Sequence, residues 1–346
     1  MNNSVKVVVA LLGVMMVFLL GAVFKTAQTV LVPLIIAALL YFVLAPGVNY
    51  LQRIHIPRVV AIIIVILCLL GVFYLIGVFL YASVQSIVRL YPRYQLRVEQ
   101  IIHDLSTGVL SQYSISQTLF GGINWTITLR SSLISFSGSF IKFMTSVGII
   151  LVFLIFLLLE RPYFKSKLNN AFVGSTRTKI EGVFDLVNRQ IGRYLMVKLF
   201  LSVVIGALVW LSLELLGIDF PLLWGILAFL MNFVPNLGAL FVVVVTTIMA
   251  LLQFYPAYGR PLATLVVISA IHLGIGNFVD PRLSGDRLNL SPLIILLSLI
   301  FWGWLWGIIG MFLSVPITVV IKIICENVPS LRPVSIFMGS GKWRDV

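Results

Sequence analysis

Asn232-Phe233-Val234-Pro235-Asn236-Leu237-Gly238 interrupts two apolar runs, with Pro221-Leu222-Leu223-Trp224-Gly225 before it and Ala239–Leu252 after it. In water such a stretch is an ordinary turn. In hydrocarbon, each unpaired backbone N–H or C=O costs several kcal/mol, so a broken helix persists only where protein or a watery cavity satisfies the break. Interruptions repeated in corresponding parts of a chain point to a binding site near the bilayer midplane.

The composition places this stretch in a membrane. The 346 residues are 60% hydrophobic and 10% charged, against about 25% charged in soluble domains, and the mean hydropathy is +1.12. Several runs reach the ~20 apolar residues that cross a bilayer core. Spans, short loops and one longer extramembrane region use up the chain and leave no separate catalytic domain of ~100–150 residues. The formal charge of +13 sits in loops, where cytoplasmic faces are enriched in Lys and Arg. No basic stripe interleaves with solvent-facing aromatics, so nucleic acid is not an expected partner. Cys68 and Cys325 lie in apolar runs and read as packing residues, with no disulfide, metal or cofactor implied.

The pattern predicts an all-α polytopic membrane protein of about eight membrane segments, including broken or re-entrant helices, with amphipathic interfacial helices. Residues 1–82 carry the first membrane segments: Val5–Phe24, Val30–Leu44 and Val59–Tyr81. No small-residue cleavage site follows the first of these, which reads as an uncleaved span. Ala45-Pro46-Gly47 is expected to end the second. Residues 83–142 form an extracytoplasmic amphipathic region and 143–159 a further membrane segment. Residues 160–198 form a loop with eight basic residues, among them Arg161, Lys167, Arg177 and Lys198, opposed by Glu160, Glu181 and Asp185. Its charge places it in the cytoplasm, together with both termini. Lys198 is expected to snorkel to that surface. Residues 199–325 form the membrane core with interrupted helices, and 326–346 a cytoplasmic tail.

Within that core, Ser291-Pro292 opens an apolar tract running to about Ile324, broken by Gly303, Gly307, Gly310 and Pro316. It is long for one crossing, even with tilt. A helix that turns back between Gly307 and Pro316 fits better. Pro221 and Pro292 thus open two segments of similar design, each passing through Leu and Trp to a structural break.

Polar residues in these surroundings are the candidate site. Asn232 and Asn236 flank Pro235; their amides can bind a small polar solute or satisfy the carbonyls that the proline frees. Gly238 permits close helix approach. Asn277 and Asp280, three apart, would share a helical face, and an acid at membrane depth marks function unless it merely caps a helix. These six residues are the expected solute-binding set. Glu214, Asp219, His272 and Asp280 are the candidates for ion coupling. His272 could relay protons or simply hydrogen-bond a neighbouring helix. The three stretches Asn232–Gly238, Asn277–Asp280 and Gly307–Pro316 are expected to meet near the middle of the membrane.

Enzyme readings fail. Gly339-Ser340-Gly341-Lys342 looks like the end of a phosphate loop, but Ile336 stands where its first glycine belongs. No metalloprotease, paired CxxC or nucleophile-elbow motif occurs.

In Tyr194-Leu195 with Lys198, Phe220–Gly225, Asn232–Gly238, Asn277 through Ser291-Pro292, Gly307-Ile308-Ile309-Gly310 and Val315-Pro316, the chain resembles the autoinducer-2 exporter family of bacterial inner-membrane proteins. The resemblance implies roughly eight membrane segments and secondary transport. It associates some members with release of the quorum-sensing signal autoinducer-2 and others with sodium/proton exchange, and it implies a homo-oligomer whose protomers transport separately. The leading expectation is therefore export of a small polar solute. Cation/proton antiport and a membrane scaffold working through the amphipathic helices are the alternatives.

Overall fold

A computed structural model describes residues 12, 15, 16, 19, 21–107, 145–161, 163, 166–168, 170–172, 175–284 and 290–340. Most of Val5–Phe24, the later part of the 83–142 region and Gly341-Lys342 lie outside the described residues. The helices are α1 (Gln28–Arg53), α2 (Arg58–Thr107), α3 (Ser175–Leu215), α4 (Pro221–Met231), α5 (Leu237–Phe254), α6 (Gly259–Gly274), α7 (Asp280–Ser284), α8 (Pro292–Asn327) and α9 (Arg332–Met338). Residues 145–161 are also helical. A π-helical turn, Ile275–Val279, joins α6 to α7. Among the described residues, six helices are long and apolar enough to cross a membrane, and α4 is a shorter apolar helix. The chain is an all-α polytopic membrane protein.

Two helices run further than the sequence suggests. α1 passes through Pro46 and ends at Arg53, because a membrane helix tolerates the single hydrogen bond that an internal proline removes when neighbours re-satisfy it. α2 runs through the end expected at Tyr81 for 50 residues, with Pro92 inside it.

The chain divides into two compact units. The first draws on Met1–Val65, Thr145–Met196 and Asp286–Val346. Its cores form around Ile191, Leu195, Val315, Val319 and Ile323, and around Val32, Leu305, Trp306 and Leu313. α8 dominates it. A straight helix of 36 residues would measure about 54 Å, nearly twice the hydrocarbon thickness of about 30 Å. The chain instead breaks at Gly307, whose φ of 65° and ψ of −145° fall in a region essentially reserved for glycine. Ser298 Oγ lies 3.1 Å from the carbonyl of Ser314 and 2.5 Å from Thr318 Oγ1. Residues twenty apart on a straight helix would stand about 30 Å from each other. α8 is therefore a helical hairpin. Gly310 closes it: a Cβ there would lie 1.8 Å from the Trp302 carbonyl oxygen.

The second unit draws on Ile66–Met144 and Val197–Gly285, with a core of Leu201, Ile205, Val209, Leu213, Val242 and Ile268. It contains the α4–α5 hairpin around the 232–236 break. Here a Cβ on Gly238 would lie 1.8 Å from the Met231 carbonyl oxygen. The two hairpins share one device, a proline at the first helical turn and a glycine that lets the returning arm touch backbone. α3 also crosses α4 closely, a Cβ on Gly206 or on Gly225 falling 2.8 Å from the other's carbonyl oxygen.

Candidate transport site

The candidate residues of the second unit gather on one face of α3. Lys198 and Ser202 are four residues apart, hence one turn apart on the same face. Both are buried, Lys198 at 8% exposure and Ser202 at 0%. Lys198 Nζ donates to Asp280 Oδ2 at 3.4 Å. Asn232 Nδ2 donates to Ser202 Oγ at 2.9 Å. The lysine expected to snorkel is therefore buried, because a carboxylate is brought to it.

Local chain irregularities aim both partners. Asp280 is the first residue after the π turn, and such single-turn bulges re-aim the side chains that follow. Asn232 is the residue at which α4 ends, its N–H still bonded to the carbonyl of Ala228. Taking two charges out of water is costly unless each meets the other with good geometry. A polar pair held at a span that is otherwise apolar marks a substrate or ion path.

Other candidates part company. Asn236 takes φ 59° and ψ −49° and is exposed; the Leu237 N–H donates to the Pro235 carbonyl across it at 2.6 Å, a strained γ-turn, so this residue serves the break. Asn277 lies within the π turn and is exposed, while Asp280 points at Lys198. The shared helical face presumed α-helical spacing, which the π turn replaces. Pro235 is half-buried in the break, and Gly238 is buried where it touches Met231. His272 is 7% exposed, and its Nε2 has no hydrogen-bond partner among the described residues. Glu214 is exposed on α3.

Asp219 belongs to a second polar cluster beyond the far end of α3, where Lys198 and Leu215 are about 26 Å apart along the axis. Gln253 of α5 pins the connection, accepting from the Asp219 N–H at 2.8 Å and donating to the Gly217 carbonyl at 2.8 Å. Trp224 Nε1 donates to the Asp219 carbonyl at 3.0 Å. The Asp219 carboxylate accepts from the Tyr94 hydroxyl of α2. Beside it opens a cavity of about 370 Å³, lined by Phe79, Ala82, Ser83 and Ser86 of α2 and by Asp219–Leu222. Pro221 supplies the first turn of α4.

In the first unit, Gly307 and Gly310 form the α8 break, and Pro316 is buried in its returning arm. That arm also buries Lys322, at 5% exposure, 3.2 Å from Glu326. Sequence reasoning passed over Ser202, Gln253 and Tyr94. Ser202 was signalled by its four-residue spacing from Lys198, and Gln253 as the lone amide in the apolar run of α5. Tyr94, more than a hundred residues before Asp219, carried no local signal.

The sequence is similar to known transport proteins. The sequence profile described as "AI-2E family transporter" matches residues 12–330. A Borreliella burgdorferi protein named "Putative transport protein" is 36% identical over 260 residues, covering 75% of this chain and 71% of that one. The Escherichia coli K12 protein named "AI-2 transport protein TqsA" is 29% identical over 345 residues, covering 97% of this chain and 96% of that one. With the profile spanning nearly the whole chain and relatives aligned along most of its length, the chain belongs to the AI-2E family of membrane transporters.

Proposed function

We propose that this transporter exports a small polar solute across the bacterial inner membrane as a secondary transporter, and that the Lys198–Asp280 and Ser202–Asn232 pairs form its solute site. The observation that supports this most is the convergence of a part-buried ion pair and a broken-helix amide on one turn of α3. An ammonium, a carboxylate, a hydroxyl and an amide can together exchange hydrogen bonds with a neutral polyol-like solute. Binding would replace contacts already made within the site, which keeps affinity modest and release fast.

The name of the 29% identical relative supports autoinducer-2, a small polyhydroxylated signal, as the first solute to test. Cation/proton antiport is the second reading, supported by the same pair: protonation of Asp280 would release the Lys198 charge, and a cation could compete for the carboxylate. We place both termini and the basic 160–198 loop in the cytoplasm, on the excess of Lys and Arg there, and read the working form as a homo-oligomer. Proteoliposome flux with labelled autoinducer-2, run with and without imposed proton and sodium gradients, separates the readings. Solute flux supports export. Sodium-dependent proton movement without solute flux supports antiport. Neither movement would overturn both.

A further inference from the structure

A further polar cluster lies in the first unit, where arginines from two helices gather near the end of the 145–161 helix. Arg58, the first residue of α2, donates through Nη2 to the carbonyl of Leu158. Arg161, one turn further along that helix, donates through Nη1 to Asn49 Oδ1 of α1 at 2.9 Å. Its guanidinium lies 6.0 Å from the ring centroid of Tyr41, also on α1. The two arginine charges act on one another and both reach Tyr41.

No carboxylate among the described residues pairs with either arginine; neighbouring Glu160 is held by Lys167. Arg58 Nε is buried without a hydrogen-bond partner. Each guanidinium carries five donors in a planar fork, and only one of each is used by the contacts above. Two like charges that act on one another, with spare donors and no counter-charge among the described residues, form a receptor for an oxyanion. The geometry suits phosphate, which accepts bidentate arginine contacts. Exposed apolar side chains flank the cluster, Val59, Val60 and Ile63 on α2 and Val152 and Phe156 on the 145–161 helix. An anion seated here would have hydrocarbon-facing surface directly beside it.

We infer that Arg58 and Arg161, supported by Asn49 and Tyr41, form a phosphate-binding site that holds the headgroup of an anionic phospholipid or a free phosphate. Basic pockets between membrane helices bind lipid headgroups in this way. The full-length protein in nanodiscs of phosphatidylglycerol or of phosphatidylcholine, with and without inorganic phosphate, tests it by thermal unfolding and lipid-competition binding. A diffuse surface charge contributes about fivefold in lipid affinity per arginine. The exposed Arg53 supplies that reference as Arg53→Gln.

Arg161→Gln is expected to lose well beyond that reference. Arg161→Lys, which keeps the charge and loses the fork, should also fall below wild type. Stabilisation by phosphatidylglycerol alone assigns the lipid headgroup; equal stabilisation by inorganic phosphate in phosphatidylcholine assigns the free anion. Arg161 is exposed, so its variants should remain folded, which unfolding in phosphatidylcholine checks. Equal behaviour in all lipids and phosphate conditions, or Arg161→Lys matching wild type while Arg161→Gln falls only as far as Arg53→Gln, would overturn the site.

Discussion

Lys198 and Ser202 stand one turn apart on α3, and each is bonded to a different irregularity of the chain. Lys198 meets Asp280 behind the π turn, and Ser202 meets Asn232 where α4 breaks. A movement of either irregular segment must therefore disturb the same helical face.

Removing Asp280 leaves the Lys198 charge buried. Asp280→Ala is expected to destabilise by about 3–5 kcal/mol, the usual cost of orphaning a buried charge. The double variant Lys198→Ala with Asp280→Ala should cost less than the sum of the singles. Unfolding in mild detergent, arranged as a double-mutant cycle, measures this. Strict additivity would mean that the two side chains are not coupled.

Asn236 and Asn232 should respond differently to substitution. Asn236→Gly keeps the positive-φ backbone open and should retain folding and flux, whereas Asn236→Val should destabilise by about 1–3 kcal/mol through backbone strain. Asn232→Leu leaves the buried Ser202 hydroxyl without its partner, at about 1–3 kcal/mol, and should lose flux. Loss of flux in a folded Asn236→Gly protein would instead assign that amide to the solute.

The two hairpin glycines should not tolerate a methyl group. Gly238→Ala and Gly310→Ala would each force a Cβ to within 1.8 Å of a carbonyl oxygen, a clash that parts the arms and costs about 3 kcal/mol or more. Gly71→Ala, with nothing within 4 Å of its Cβ, is the control and should be neutral or slightly stabilising. Protease sensitivity of the two loops reads the difference. Indistinguishable cleavage of all three variants would argue against the hairpin packing.

Much of this was legible in the residues. Apolar run lengths and the Gly307–Pro316 punctuation gave the spans and the reversal of α8, because hydrocarbon penalises unpaired backbone so heavily that breaks must be written as Gly, Pro and Asn. The burial of Lys198 was not legible. A lysine at the start of a span reads as a snorkelling residue unless its partner is known, and Asp280 lies 82 residues away. The π turn was equally hidden, since nothing in Ile275-Gly276-Asn277-Phe278-Val279 distinguishes it from α-helix. For the same reason the three-residue spacing of Asn277 and Asp280 predicts a shared face that the π turn does not keep. The expected meeting of three stretches divides between the units: Asn232–Gly238 and Asn277–Asp280 belong to the second, Gly307–Pro316 to the first. In the second unit the meeting runs through α3, by way of residues the sequence did not single out.

Outside the spans, Tyr255 donates to Asp104 at 2.8 Å, and that hydrogen bond, its largest influence, holds the phenol up at about 12. The raised value means the contact is complete below the ordinary tyrosine range near 10 and is lost as pH rises through 12. The ultraviolet difference titration between wild type and Tyr255→Phe should show one phenol ionising near 12. In Asp104→Asn it should ionise earlier. An unchanged titration in Asp104→Asn would show that the hydrogen bond is not the cause.

Gradient-driven solute flux in proteoliposomes reconstituted with equal amounts of folded wild type, Asp280→Asn and Ser202→Ala shows whether solute passes by the polar face of α3. A path along this face should give saturable flux in wild type, loss of flux in Asp280→Asn and a raised half-saturation concentration in Ser202→Ala. Wild-type flux and saturation in both variants, with folding intact, would contradict it.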